Sequence, residues 1–362
     1  MAKYEENIRE LLPKLDFDNK YSKELVNYIV QNLRNKNVNE FYKEWLKEIV
    51  LFNISESTGS PFWVKRARER NIKAKDIEGI SSVTELINML GESDYSLLTR
   101  ENGYEEYYKP KGLSELKLYR SGSSGTTGPA KIIYHSEVPL AVSAVNEYSG
   151  IQFYVNGYQG NGKRLLAFGP VGAFQKEHEY LSNLLGLKYV DLGFDTTGLK
   201  LASREEMNRR IAPKYEIAIN YLQKRGGVGL MTLSKEAISM FPGDMLKHIE
   251  ILKISGTEVD NKTIEKVSKE KEIVVIPSYG HFAGKSSIGF VDSKGIVYYP
   301  SLPFTNFSVI NEEMEVVKYG EEGEILMIIA QPEILLIKRD DIAVRENGNE
   351  VFNFDGVRNP HR

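Results

Sequence analysis

The chain has 362 residues, of which 47 are basic and 50 acidic, giving a net charge of -3, and 41% are hydrophobic. Such a length can bury a sizeable core, such a balance offers no field to attract nucleic acid, and the absence of cysteine removes disulfides, thiolate metal sites and any cysteine nucleophile. Residues 1–30 carry charges throughout, unlike a signal peptide, and no window approaches the roughly 18 apolar residues of a spanning helix, so the expectation is a cytoplasmic protein with neither nucleic acid nor membrane among its partners.

From residue 3 to about 112 the apolar residues recur at helical spacing, as in YSKELVNYIVQNLRN and NEFYKEWLKEIVLFNI. Asn39 stands where a helix cap belongs, and Ser82 to Glu85 reads as a capping box. From 113 onward short β-rich runs alternate with helical patterns: LKLYR, KIIYH, RLLAFG, KYVDLGF, GVGLMTL, EILKISG and IVVIPSYG, with REEMNRRIAPKYEIAINYLQKR among the helical stretches. That alternation predicts an open α/β sheet whose ligand sites lie beyond the carboxyl ends of the strands. After about 287 the helical patterns stop. SIGFVDSKGIVYYP, EGEILMIIA and NEVFNFDG alternate apolar and polar residues between turn signals, which predicts a smaller, mostly antiparallel section closing the chain.

Within YRSGSSGTTGPAKIIYHS, residues Ser121 to Gly128 are only Ser, Gly and Thr, and Lys131 follows three positions later. Nucleotide phosphates need converging backbone N–H groups, hydroxyl donors and a nearby cation, and glycines that permit the required dihedrals and close approach. The stretch supplies each of these. It is not a Walker A loop, because Ala130 stands where that motif has its second glycine and Ile132 follows the lysine. Nor is it a dinucleotide fingerprint, since a strand-like run rather than a helix comes next. A flexible Gly/Ser linker is the other reading. Against it, the loop is short, LKLYR and KIIYH flank it closely, and a tether has no need of Thr126 and Thr127.

The Ser-Gly-Thr-Thr-Gly run with its lysine resembles the phosphate-loop signature of the adenylate-forming superfamily, which includes acyl- and aryl-CoA synthetases, luciferases and adenylation domains. The proline is displaced to Pro129, but Lys131 keeps its distance. Later elements follow in the family's order. ISGTEVD, with Gly256, Thr257 and Glu258, is similar to the element lining the adenine side of the pocket. PSYGHFAG, with Ser278, Tyr279 and Gly280, resembles the element whose aromatic ring packs on the base. KRDDIAV supplies Asp341, matching the aspartate that holds the ribose hydroxyls, and FDGVRNPHR resembles the hinge, with Arg358 near the usual arginine. FGPVGAFQKEHEYLSNLLG resembles the wall of the acyl pocket in the phenylacetate-CoA ligase branch, where Phe174 and His178, together with His281, face the acid. A surface helix with solvated charges is the plain alternative for that stretch, and a zinc reading of Glu177-His178-Glu179 lacks a second histidine at helical spacing.

The resemblance implies an α/β fold: the large N-terminal-type core of these enzymes, with a mainly helical segment at 1–112, a nucleotide-binding core at 113–287, and a β-rich section at 288–362 ending at the hinge, the small C-terminal domain being absent. It is nearest to short phenylacetate-CoA ligase-like and acyl-protein synthetase-like members. The implied activity is ATP-dependent conversion of an organic carboxylic acid to its acyl-adenylate, with release of pyrophosphate, followed by transfer to a thiol of CoA or of a carrier protein. Ser123, Ser124, Gly125, Thr126, Thr127, Gly128 and Lys131 would bind the phosphates, and Lys131, Thr126 and Thr127 would carry the catalysis. ATP, Mg2+ and CoA are the implied cofactors. No metal ligand is assigned, because Phe282-Ala283 stands where the family has Thr-Glu, and neither side chain ligates a hard cation. The alternative is a nucleotide- or adenylate-binding protein without turnover, or a subunit whose catalysis needs a separate chain.

Overall fold

In the computed structural model the described residues are 3–80, 82–108, 116–123, 129–197, 203–224, 227–242, 244–255 and 259–361. The helical spacing of the opening produces α1 (Lys3–Leu11), α2 (Lys20–Asn35), α3 (Val38–Ile54), α4 (Pro61–Glu69), α5 (Ala74–Glu78) and α6 (Val83–Leu90). On α2 the residues Leu25, Val26, Ile29, Val30 and Leu33 are buried, one stripe of a period-3.6 pattern. Ser82 caps α6 by accepting from the Glu85 amide at 3.1 Å. The cap of α3 is Asn37 rather than Asn39: Asn37 and Glu40 form the reciprocal box, while Asn39 lies inside the first turn and donates to the Asn353 carbonyl at 3.1 Å. Either asparagine suits a cap chemically, and the deeply buried Val38 decides by entering the helix.

These helices are fastened to the strands that come much later in the chain. The indole N–H of Trp45 donates to the Ala330 carbonyl at 2.7 Å and that of Trp63 to the Leu335 carbonyl at 2.8 Å. Tyr4 donates to the Leu302 carbonyl at 2.7 Å. The apolar faces of α1 to α3 share one buried cluster with residues of the central sheet.

The strands are β1 (Tyr119–Gly122), β2 (Ile132–His135), β3 (Arg164–Pro170), β4 (Lys188–Phe194), β5 (Val228–Ser234), β6 (Ile249–Ser255), β7 (Val274–His281), β8 (Lys285–Asp292), β9 (Gly295–Tyr298), β10 (Thr305–Ile310), β11 (Glu322–Ala330), β12 (Leu335–Glu346) and β13 (Gly356–His361). β1 and β2 form a separate antiparallel hairpin, and the others form one sheet in the order β10-β11-β12-β13-β9-β8-β7-β6-β5-β3-β4. The closing antiparallel strands are therefore continuous with the α/β sheet. β7 makes the join: Val274 to Pro277 pair parallel with β6, and Ser278 to His281 pair antiparallel with β8.

Four further helices cover the parallel strands: α7 (Glu137–Tyr154), α8 (Ala173–Leu184), α9 (Arg204–Gln223) and α10 (Asn261–Lys271). Residues of α7 and α8 pack on one face of the sheet and residues of α9 and α10 on the other. Residues Glu137 to Glu147 of α7 are all buried, so this helix has no amphipathic stripe to betray it in the sequence. Among the described residues no helix is long and apolar enough to cross a membrane.

Replacing Trp63 by phenylalanine keeps most of the buried ring but orphans the Leu335 carbonyl, which costs about 1–3 kcal/mol. Urea unfolding followed by circular dichroism should register that loss with little change in slope; an unchanged midpoint would show that the indole bond contributes nothing.

Candidate functional site

In the parallel half of the sheet the chain leaves β3 to form β4 on one side, then returns to lay β5 on the other side of β3. Helices following β3 and β4 consequently lie on opposite faces, and the carboxyl ends of β3 and β5 form the switch point at which open α/β sheets receive their ligands. The β1–β2 hairpin is held at this end. Gly172, between β3 and α8, has φ +88, and a Cβ there would stand 2.2 Å from the Arg120 carbonyl oxygen. Only glycine lets the hairpin backbone approach so closely.

Two groups of the hairpin converge on one acceptor, the carbonyl of Phe282 just beyond β7. The Ser121 hydroxyl donates to it at 2.7 Å, and His135 Nε2 lies 3.2 Å from it, while His135 Nδ1 lies 2.8 Å from Gln331 Oε1. At the open end of the hairpin, Ser123 N–H donates to the Lys131 carbonyl and Lys131 N–H to the Ser123 hydroxyl, each at 2.9 Å. This pair pins Ser123 and Lys131 side by side. Ser124, Gly125, Thr126, Thr127 and Gly128 lie outside the described residues, as do Gly256, Thr257 and Glu258.

Tyr279, on β7, is half-buried, with ring centroids of Tyr298 at 5.5 Å and Phe307 at 5.9 Å. Its hydroxyl donates to Asp341 Oδ2 at 2.8 Å. β7 and β12, which carry these residues, are not neighbours in the sheet, so the contact requires the antiparallel half to curl over the end of β7. Gly280 is exposed. The Ser278 hydroxyl is buried and makes no hydrogen bond among the described residues. His281 lies against Phe282, ring centroids 4.4 Å apart, and its Nδ1 accepts from the Ala283 amide at 3.1 Å.

Arg358 forms a fork to both carboxylate oxygens of Asp292, at 2.6 and 2.8 Å, and bonds Glu346 at 2.5 Å. It braces β8, β12 and β13 through these two carboxylates. The hydrogen bonds from Arg358 hold the Asp292 carboxyl below its ordinary pKa. Phe174 and His178 occupy the first turn and a half of α8, where His178 is fully buried; its Nδ1 donates to the Phe174 carbonyl at 2.7 Å and its Nε2 lies 3.1 Å from Lys253 Nζ. Lys253 is in turn salt-bridged to Glu147 of α7. The residues that sequence reasoning missed are thus Ser121, His135, Glu147 and Lys253. A signal existed for Lys253, a lone charge inside the otherwise apolar strand run ILKIS, and none for Glu147, which stands among Asn146 and Ser149.

No protein-family model matches the chain, and no curated protein does. Solved structures do. An open conformation of 2-hydroxyisobutyryl-CoA ligase in complex with 2-HIB-AMP and CoA superposes with a TM-score of 0.63 at 11% identity, over 88% of this chain and 73% of that one. The same ligase in the thioesterification state gives 0.63 at 12% identity, and in the postadenylation state with 2-HIB-AMP 0.61 at 11%; each match covers 89% of this chain and 66% of that one. This chain therefore spans two thirds to three quarters of the ligase's length. At such identity the likeness establishes the fold alone, which this chain shares with that ligase.

Two outcomes follow from the contacts above. Because folding lowers the Asp292 pKa, its contribution to stability is present above the ordinary aspartate value of about 4 and is lost as pH falls through the lower folded value. Asp292→Asn should therefore flatten the decline in unfolding free energy as the pH falls below about 4; an undiminished decline would assign it to other carboxylates. Ser121→Ala should speed amide exchange across the β1–β2 hairpin while leaving the exchange of β5 and β6 as it was.

Proposed function

We propose that this chain, built on the adenylate-forming fold, activates an organic carboxylic acid with ATP and passes the acyl group to a thiol. The observation that carries this reading is the meeting of three separate motifs at one end of the sheet: the ends of the Ser/Gly/Thr loop, the Tyr279 ring and the Asp341 carboxylate. In the first step a substrate carboxylate oxygen attacks the α-phosphorus of ATP and pyrophosphate departs. The nucleophile belongs to the substrate, so the protein needs no Ser or Cys nucleophile. It must align two anions and neutralise the charge that develops on the leaving phosphates. In the second step a thiolate attacks the acyl carbonyl and AMP leaves.

On this reading Ser123 to Gly128 cradle the triphosphate, Lys131 and the hydroxyls of Thr126 and Thr127 neutralise it, and Gly256 to Glu258 with Tyr279 and Gly280 enclose the adenine, Ser278 facing the other side of β7. Asp341 accepts from the ribose diol, with its second oxygen on the Tyr279 hydroxyl fixing its orientation. Arg358 acts on that region through its carboxylate partners. Phe174 and His281 border the acyl side; His178, fully buried with both ring nitrogens engaged, does not touch the acid. Mg2+ would accompany ATP; Phe282 and Ala283 offer it no oxygen, so Glu258 or the threonine hydroxyls would hold it, and its chemistry is charge neutralisation on the phosphates. The thiol belongs to CoA or to a carrier protein. A second reading, binding of a nucleotide or adenylate without turnover, is favoured by one feature, the fully buried Ala283 where the family has a carboxylate.

ATP–pyrophosphate exchange with a panel of fatty, aryl and hydroxylated acids separates the two. Exchange that falls about 100-fold or more in Lys131→Ala fits the enzymatic reading. Tight nucleotide binding by calorimetry, with no exchange for any acid, would establish the second reading. Asp341→Asn should raise the KM for ATP by about 10- to 100-fold, the weight of a hydrogen bond to a charged group, with a smaller effect on the KM for the acid.

A further inference from the structure

The charged cluster between α7, α8 and the sheet has an accounting problem. Glu147 is 0% exposed, Lys253 1% and His178 0%. Glu147 Oε1 is salt-bridged to Lys253. His178 Nδ1 faces a carbonyl, so it carries the proton, and Nε2 then accepts from the Lys253 ammonium. These three groups pair one carboxylate with one ammonium, and a second buried carboxylate, Glu177 of α8, accepts from Ser143 one turn before Glu147 on α7. The hydrogen bonds do not close so neatly. Glu147 Oε2 has no hydrogen-bond partner, its nearest recorded neighbour being His178 Nε2 at 3.8 Å. A buried carboxylate oxygen left unpaired destabilises the fold, and apolar side chains of similar size would serve packing better.

The position of the cluster points to what the oxygen is for. Across the sheet, Ala167, Thr232, Lys253 and Ile276 form one register row. The next row on that face holds Ser234 and Ser255, the last residues of β5 and β6, so Lys253 lies roughly 7 Å below the strand ends. Ser278 follows Ile276 by two residues and shares its face. Its cross-strand partner Ile288 abuts Gly150 of α7, where an added Cβ would fall 2.4 Å from Ile288 Cγ2. Glu147 precedes Gly150 by three residues and so lies on the same side of α7. The buried Ser278 hydroxyl and Glu147 Oε2, both without a hydrogen-bond partner among the described residues, thus belong to the interlayer between α7 and the sheet.

Resting on the function proposed above, we infer that the acid this chain activates is a hydroxy acid whose hydroxyl is received by Glu147 and Ser278. The free group at Glu147 is an acceptor and calls for a donor. An ammonium group would meet Lys253 beside it, a second carboxylate would meet Glu147, and a plain alkyl or aryl acid leaves Oε2 unpaired. An O–H satisfies the acceptor without bringing a charge of its own. His178, with both nitrogens engaged, positions Lys253 and does not touch the acid.

The test uses the full chain and matched pairs of acids, each hydroxylated acid against its deoxy parent, compared by the ratio of kcat/KM in ATP–pyrophosphate exchange. Because both members of a pair are read on one preparation, the ratio is independent of the fraction folded. The hydroxylated member should be favoured by about 10- to 100-fold in at least one pair. Glu147→Gln, which turns an acceptor into a donor, should bring that ratio to near one, and Ser278→Ala should lower it while leaving the melting temperature unchanged. Exchange with no preference in any pair, or a preference that survives both substitutions, overturns the inference and leaves the adenylating function standing, with a water as the occupant of the gap. Absence of exchange with every acid overturns both.

Discussion

The carbonyl of Phe282 is the hinge on which the arrangement turns. It accepts from Ser121 of β1 and faces His135 of β2, so the hairpin carrying the Ser/Gly/Thr loop is fixed to the turn that ends β7. That hairpin belongs to no larger sheet, and a two-stranded ribbon alone is marginal in water. Its stability comes from what it leans on: the Gly172 backbone beneath β1, the Phe282 carbonyl at its flank and the Gln331 side chain beside His135.

The second constraint is the path of the sheet. β7 changes partner type halfway along, parallel to β6 and then antiparallel to β8, and from that point the sheet curls until β12 returns over β7. Tyr279 and Asp341, 62 residues apart, meet only because of this curl. The helical opening supports it from outside, since Trp45 and Trp63 bond carbonyls at the end of β11 and the start of β12. Packing of the helical opening thereby sets the distance between the Tyr279 ring and the Asp341 carboxylate.

Buried charge tells a related story. In Arg358 with Asp292 and Glu346, donors meet acceptors on both sides and the group reads as a brace. In Glu147, Lys253 and His178, one carboxylate oxygen is left over. A finished network rigidifies, whereas an unfinished one leaves a buried polar atom at a cost.

Much of this architecture is written locally in the sequence. Alternating β-rich and helical runs specify a parallel sheet with helices on its faces, because each period admits only one way of burying its apolar residues. The composition of residues 121–128, with Lys131, is equally local, since phosphate binding needs particular backbone freedom and donors in one short stretch. The sequence also names Tyr279 and Asp341 as candidates by type and order. It does not reveal α7, whose uniform burial erases the amphipathic signal, nor that Asn37 rather than Asn39 caps α3, a choice made by where Val38 finds its pocket. Nor can it tell that Arg358 spends its guanidinium on Asp292 and Glu346, or that Glu147, Lys253 and His178 form one cluster. Those pairings join residues from separate elements, and only the layering of α7 and α8 on the sheet, together with the curl of its antiparallel half, brings them within hydrogen-bonding reach.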